Sequence, residues 1–404
     1  MEPLGRKLLE IAHTAIAACH GEKLCARVAK EMKGPVELVG SGKAAVAMAR
    51  GVIEALEVRS GVLCTKDEPG FAPQHVEIRR ADHPLPDPRS AAAARAIERK
   101  LMSAKHPVVA VISGGTSSLL ATPGEGLAVP ELRRAYEVLL NAGLRIEEIN
   151  IVRKHITRWF GGRLARVSRQ PIDVLVISDV LGDDITAIGS GPFAPDPSSF
   201  EQALGIARSV SEMPRQVLSL LERGARGEIE ETPKPGDACF ERVRHHMVAS
   251  HATLIDAAVE AASAEFRVRR LPSSEDSVAD VAERYARERL EPGEILVSGG
   301  EPRVKLPPDP GRGGRNQQLA LHMARVLFAR REPACFLAIG SDGSDGPTDA
   351  AGALVDERSW ATMPDPEAAL VRADAYPILD SAYALVRTGA TGTNVLDLHL
   401  LARA

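Results

Sequence analysis

The residues best suited to chemistry sit in glycine-rich loops that follow short apolar runs. Residues 335–339, CFLAI, read as a buried strand and lead into Gly340-Ser341-Asp342-Gly343-Ser344-Asp345-Gly346, with Asp349 beyond; a second apolar piece resumes at 353–355. Glycines let backbone approach a ligand closely, and carboxylates among them can hold a cation or accept a proton. The spacing is not the D-x-D-x-D-G of an EF-hand, and no Gly-Lys-Ser/Thr follows as in a Walker A loop. Alone, such a loop reads equally well as a strand-end turn. It gains weight because four further strand-like runs end the same way: in Gly40-Ser41-Gly42-Lys43, Ser113-Gly114-Gly115-Thr116-Ser117, Ser178-Asp179 and Ser298-Gly299-Gly300. Together they describe a site where backbone N–H groups meet anionic oxygens, phosphates above all.

Two cations stand out. Lys43 and Arg315 each lie in the first turn of a helix after glycines, where the positive end of the helix dipole opposes them. That placement points to a carboxylate or a transferring phosphoryl group. Asp179 and Asp345, each after a buried strand, can bind a divalent cation or take a hydroxyl proton, and the residues alone do not divide these roles. Ser113, Ser117 and Ser118 read as phosphate-contacting hydroxyls, since Ser113-Gly114-Gly115 is not G-x-S-x-G. Asp183, Asp184 and Asp349 read as capping residues, His155 as a packed histidine, and His245, His246 and His251 lack metal-site spacing. Gly40-x-Gly42-x-x-Ala45 also matches a dinucleotide fingerprint, which keeps a nicotinamide-dependent dehydrogenase in view. Against it, Lys43 sits inside the turn, and Thr65-Lys66 precede Asp67 where the acidic ribose partner belongs.

The elements that position these loops alternate along the chain. Strand, glycine loop and helix recur from Pro35 onward, and the order restarts after the polar stretch 228–237 with its Thr232-Pro233-Lys234-Pro235-Gly236. This predicts two α/β domains with mostly parallel sheets. The expected boundaries are 1–235, carrying the Lys43 loop, and 236–404, carrying the Arg315 and Asp345 loops. Ser90 is expected to cap a helix over 91–102. At 404 residues two domains are the default, and 44% apolar with 26% charged residues is ordinary globular composition. A net charge of −4 without basic tracts argues against nucleic acid as partner. Five scattered cysteines without a C-x-x-C pair, no signal-peptide profile and no long apolar run predict a cytoplasmic protein away from membranes, monomer or homodimer.

The motifs in order resemble one family. Val39 to Ala45, Asp82-His83-Pro84, Ser113 to Leu120, Val152-Arg153-Lys154-His155, Ser178-Asp179-Val180, Gly189-Ser190-Gly191-Pro192, Gly313 to Gln317, Ser341 to Gly352 and Thr391-Gly392-Thr393-Asn394 are similar to the glycerate 2-kinases with a C-terminal MOFRL domain. The resemblance spans nearly the whole chain. It implies two Rossmann-like α/β domains with the site in the cleft between them, and phosphorylation of D-glycerate to 2-phosphoglycerate by ATP with Mg²⁺ or another divalent cation. It further implies Lys43 and Arg315 as substrate-side cations, and the Ser113–Ser117 and Gly189-Ser190-Gly191 loops as nucleotide contacts. Thr116, Phe193 and Gln318 depart from the family pattern, which often has Gly, Thr and Glu there. Some members carry the label hydroxypyruvate reductase, so the alternative is an NAD(P)-dependent hydroxypyruvate/glycerate dehydrogenase; a non-catalytic anion-binding protein is a third reading.

Overall fold

A computed structural model describes residues 3–66, 70, 71 and 73–404. The chain divides into two compact units, residues 21–248 and residues 1–20 with 249–404. The first is built on six strands: β1 (Val36–Ser41), β2 (Val58–Thr65), β3 (Val76–Arg80), β4 (Val108–Ile112), β5 (Ile172–Ile177) and β6 (Val243–Ala249). They lie in the order β3-β2-β1-β4-β5-β6, and β1 to β5 pair in parallel. The central β1 and β4 are buried along their whole length, as continuous apolar runs in a two-sided sheet must be. Strand order reverses between β1 and β4, the switch point at which ligands bind beyond the carboxyl ends of such a sheet. The loops carrying Lys43 and Ser113 leave from that point.

The second unit has β7 (Arg267–Arg270), β8 (Glu294–Gly300), β9 (Ala334–Gly340), β10 (Gly352–Asp356), β11 (Leu385–Val386) and β12 (Asp397–Arg403), in the order β11-β10-β9-β12-β8-β7. Here the expectation of a mostly parallel sheet is corrected: only β7 and β8 run parallel, and the other four pairings are antiparallel. The cause is β12, which returns from the chain's end to lie between β8 and β9 with its direction reversed. The returns from β9 to β10, through residues 341–351, and from β10 to β11 add the other two antiparallel pairs.

The expected boundary at residue 235 also shifts. Beyond it, β6 adds an edge strand to the first sheet. At the other end, the helix Pro3–Ala18 belongs to the second unit, where its buried face of Leu8, Ile11, Ala12, Ala15 and Ile16 packs on the helix His251–Ala262 and β9. An amphipathic stripe demands a partner without naming it. The helix Pro88–Ser103 starts earlier than expected: Asp87, not Ser90, is its N-cap, accepting the Ser90 amide while the Ser90 hydroxyl receives the Asp87 amide.

The second core holds an ionisable group without access to water. His399 on β12 is fully buried, its Nδ1 2.9 Å from the Tyr285 hydroxyl and its ring among Tyr285 and Phe336. Burial, with the nearby His251, Arg315 and Arg284, lowers its pKa to about 3. The folded form therefore binds the proton less readily than the unfolded chain, so His399 contributes stability that is present above about pH 6.5 and lost as pH falls toward 3. Urea unfolding at pH 7.5 and at pH 5 should accordingly show a smaller loss of stability on acidification in His399→Leu than in the unsubstituted protein. Equal losses would mean that His399 titrates alike in both states.

Candidate active site

In the first unit the two loops at the switch point are tied together backbone to side chain. The Lys43 amide donates to the Gly114 carbonyl at 2.9 Å, and the Ala44 amide to Ser113 Oγ at 3.1 Å. Gly42 has φ +128°, and a Cβ there would fall 2.1 Å from Ser113 Oγ, so only glycine fits the crossing. Thr116 Oγ1 donates to the carbonyls of Ser41 and Ser113, both at 2.8 Å. Of the three serines read as phosphate contacts, Ser117 is the one that reaches the surface. The buried Ser118 hydroxyl donates to the Gly115 carbonyl at 3.1 Å, and Ser113 and Thr116 are fully buried with their hydroxyls building the loop. This also accounts for threonine at position 116, since glycine has no hydroxyl to bridge β1 and β4. The surface left for a ligand carries the half-buried Lys43, Gly115 and Ser117. Gly115, at φ +91°, lies against the exposed His83 ring and the Lys43 stem, at 3.3 and 3.4 Å from where a Cβ would stand.

The Gly189-Ser190-Gly191 turn joins this loop. All three residues have positive φ, and Gly189 packs on Thr116, whose Cβ would lie 2.8 Å from a side chain at 189. Ser190 Oγ is 2.8 Å from Ser117 Oγ and donates to Asn150 Oδ1 at 3.1 Å. The amides of Gly161 and Gly162 donate to the carbonyls of Ser190 and Gly191. Behind that segment a buried charge cluster braces the chain: Lys154 Nζ is 3.3 Å from Asp196, and His155 Nε2 lies 3.4 Å from Glu231 while its ring meets Phe200 edge-on. Burial raises the Asp196 pKa, but Lys154, the Ser198 hydroxyl and His155 outweigh it and hold the carboxyl low. Asp179 is half-buried just past β5. Four residues on, Asp183 Oδ1 is buried without a hydrogen-bond partner, whereas Asp184 is engaged by the Thr186 amide and hydroxyl.

In the second unit the helix Arg315–Arg330 begins at the same sheet edge as Gly300, Gly340 and Asp397. Arg315 is gripped by two carboxylates: Nε and Nη2 donate to the two oxygens of Asp397, and Nη1 donates to Glu301 at 2.6 Å. Burial works against the cation, but Asp397 and Glu301 prevail and hold its pKa well above the usual value. Of five guanidinium donors, three are thus occupied and two remain for a ligand. Asp345 sits behind this arginine, 2% exposed. Its Oδ1 accepts the Asn316 amide at 3.1 Å and its Oδ2 the Gln317 amide at 2.8 Å, so it caps the helix that carries Arg315. Burial and then Asp397 push its pKa up to about 6, against the pull of those two amides and Arg315. Both Asp345 oxygens thus serve the helix that carries Arg315. Asp342 accepts the Ser344 amide and shapes the turn, and Asp349 pairs with Tyr376 and Arg387 on the surface rather than capping.

Glu301 and Asp397 are the site residues that sequence reasoning missed. The signal was present in Leu396-Asp397-Leu398-His399-Leu400, a period-two alternation that marks a strand with a carboxylate at its start. Among the described residues no group of three or more His, Cys, Asp or Glu forms a metal cage, and no helix is long and apolar enough to cross a membrane.

Comparison with known proteins places this geometry. Residues 7–222 match a domain of unknown function, DUF4147, and residues 294–397 match the MOFRL family. The chain is 36% identical to a glycerate 2-kinase of Pyrococcus horikoshii, over 90% of this chain and 86% of that protein. It is 34% identical to a D-glycerate 2-kinase of Thermotoga maritima, over 98% of each. The crystal structure of a glycerate kinase from Thermotoga maritima covers all of both chains with a TM-score of 0.85 at 33% identity. Two relatives from Agrobacterium vitis carry the name hydroxypyruvate reductase, at 35% and 32% identity. The chain belongs to the glycerate 2-kinase family with a C-terminal MOFRL domain, and it is an enzyme that acts as a kinase.

Proposed function

We propose that this enzyme transfers the γ-phosphoryl group of ATP to the C2 hydroxyl of D-glycerate, giving 2-phosphoglycerate, with Mg²⁺ or another divalent cation. The observation that carries the reading is Arg315: a guanidinium fixed by Asp397 and Glu301 with two N–H groups unspent is preorganised for a substrate carboxylate. Lys43, beside Gly115 at the switch point, supplies the second cation, for charge on the transferring phosphoryl group. Gly115 and Ser117, backed by the buried Gly114 and the Gly189-Ser190-Gly191 turn, face the nucleotide phosphates.

The donor set fits a cation held mainly by phosphates and water, for which one or two carboxylates suffice. Asp179 would hold it, with the partnerless Asp183 oxygen on the same loop, and its charge would offset that of the phosphates. Asp345 would act through the helix it caps, keeping Arg315 in place.

The dehydrogenase reading has the strand order and Gly40-x-Gly42 in its favour. In a dinucleotide site, however, the first amides of the helix after β1 serve the pyrophosphate. Here the Lys43 and Ala44 amides, in the turn just before the helix Ala45–Ala55, are bonded to the Ser113-Gly114 loop, which occupies that approach. Asp67 lies outside the described residues.

Incubation with D-glycerate, ATP and Mg²⁺ should yield 2-phosphoglycerate, resolved from the 3-isomer by phosphorus NMR. The 3-isomer would overturn the regiochemistry, and NAD(P)H turnover with hydroxypyruvate but no phosphorylated product would favour the dehydrogenase. Lys43→Ala and Arg315→Ala should each lower kcat/KM by about a hundredfold or more. Near-normal turnover would remove that residue from the mechanism. Asp179→Asn should raise the Mg²⁺ concentration needed for half-maximal rate by roughly tenfold or more, as loss of a ligand carboxylate should. Asp345→Asn should instead lower the Tm and leave that concentration unchanged; the reverse pattern would restore Asp345 as the metal ligand.

A further inference from the structure

The Ser298-Gly299-Gly300 end of β8 repeats the strand-Ser-Gly-Gly pattern of β4. Its glycines make room for particular neighbours. A Cβ on Gly299 would lie 2.7 Å from His251 Cε1 and 2.2 Å from the Asp397 carbonyl oxygen, and a Cβ on Gly300 would strike the Ser274 carbonyl. The strand is thus stripped of side chains where an imidazole lies against it.

That imidazole is fixed at both nitrogens. His251 Nδ1 is 3.1 Å from the Val395 carbonyl oxygen, and Nε2 is 2.7 Å from Ser273 Oγ. A carbonyl only accepts, so Nδ1 carries the hydrogen and Nε2 of the neutral ring accepts the Ser273 proton. The Val395 segment is itself held, its amide donating to Ser341 Oγ at 2.8 Å. His251 is buried, while Ser273 is half-buried on the loop after β7. With its own proton on the imidazole, Ser273 Oγ keeps lone pairs for an incoming O–H. This is the arrangement of a hydroxyl activated by a base that a third group orients.

Its place gives it a use. Ser274 follows Ser273, and its carbonyl accepts the Glu301 amide at 3.0 Å. Glu301 in turn holds Arg315. In a 2-hydroxy acid the carboxylate and the hydroxyl are one carbon apart, so a group receiving the hydroxyl proton must stand close to the arginine that holds the carboxylate. Asp345 caps the helix behind Arg315, with both oxygens on helix amides.

Resting on the reading that D-glycerate is phosphorylated at C2, we infer that Ser273 and His251 form the proton relay for that hydroxyl. As the substrate oxygen forms its bond to the γ-phosphorus, its proton passes to Ser273 Oγ, and the Ser273 proton passes to His251 Nε2. The bridging P–O bond breaks with its electron pair going to the leaving nucleoside diphosphate. The imidazolium keeps its Nδ1–H on the Val395 carbonyl until it returns the proton to water. Ser273 is then a catalytic residue, and His251 acts through it.

The test compares Ser273→Ala, Ser273→Thr and His251→Ala with the unsubstituted enzyme, by steady-state kinetics and by calorimetric titration of D-glycerate. Ser273→Ala should lose about a hundredfold in kcat, the scale of general-base catalysis, with glycerate affinity changed less than about threefold. Ser273→Thr, which keeps a hydroxyl, should recover most of the rate. His251→Ala should be comparably slow and be accelerated by added imidazole. A folded Ser273→Ala enzyme, judged by its Tm, that keeps kcat within about threefold would overturn the relay. So would a loss confined to glycerate affinity, or a slow His251→Ala enzyme indifferent to imidazole. If the unsubstituted enzyme yields no 2-phosphoglycerate, the C2 reading itself fails, an outcome distinct from normal turnover in Ser273→Ala.

Discussion

The pairing of Asp397 with Arg315 is the constraint on which the second unit turns. Asp397 opens β12, the strand that fills the sheet between β8 and β9, so its backbone is fixed by pairing on both sides before its carboxylate does anything. That carboxylate then grips a guanidinium that the Asp345-capped helix delivers. A half-buried cation in this setting is costly without partners and strongly held with them. The balance leaves a charge that cannot swing away, with two guanidinium donors outside that grip. The same strand places His399 in the core one side-chain period further on.

The first unit solves a different problem by related means. At the switch point the β1 and β4 loops would diverge if left to solvent. Ser113 and Thr116 bind them instead, one hydroxyl accepting an amide and the other donating to two carbonyls. The Gly189 turn closes on Thr116 and on Ser117. Serine and threonine here act as buried cross-links, a role for which a short side chain with one donor and two lone pairs is suited. The surface they support is largely backbone, which suits contact with phosphate oxygens. Preorganisation in both units thus comes from polar groups turned inward.

Much of the architecture was legible because apolar runs and glycine loops leave a local signature. The strands that lead into the glycine loops, β1, β4, β5, β8 and β9, fall on apolar runs that announced them, and Lys43, Arg315 and the Gly189 turn stood out by type and position. Less legible were partners distant in sequence. Asp397 lies 82 residues from Arg315, and Glu301 stands outside any motif. The helix Pro3–Ala18 advertised an apolar face but not that it would pack near the far end of the chain. Ser113 and Asp345 were legible as polar residues in the right loops, yet whether such a residue faces a ligand or its own backbone depends on where the neighbouring loop comes to rest.

By itself, then, the sequence determined the α/β class, the alternation of elements, the glycine loops and the chemical types available to meet an anion. These follow from local steric preference and from periodicities of two and 3.6 residues, which need no knowledge of distant contacts. Only the tertiary structure decided which sheet each strand joined, that β12 would run against its neighbours, and which hydroxyls and carboxylates were consumed inside. Those outcomes depend on burial. A buried donor or acceptor must find a partner, and that partner is chosen by the packing of the whole unit rather than by the residues on either side.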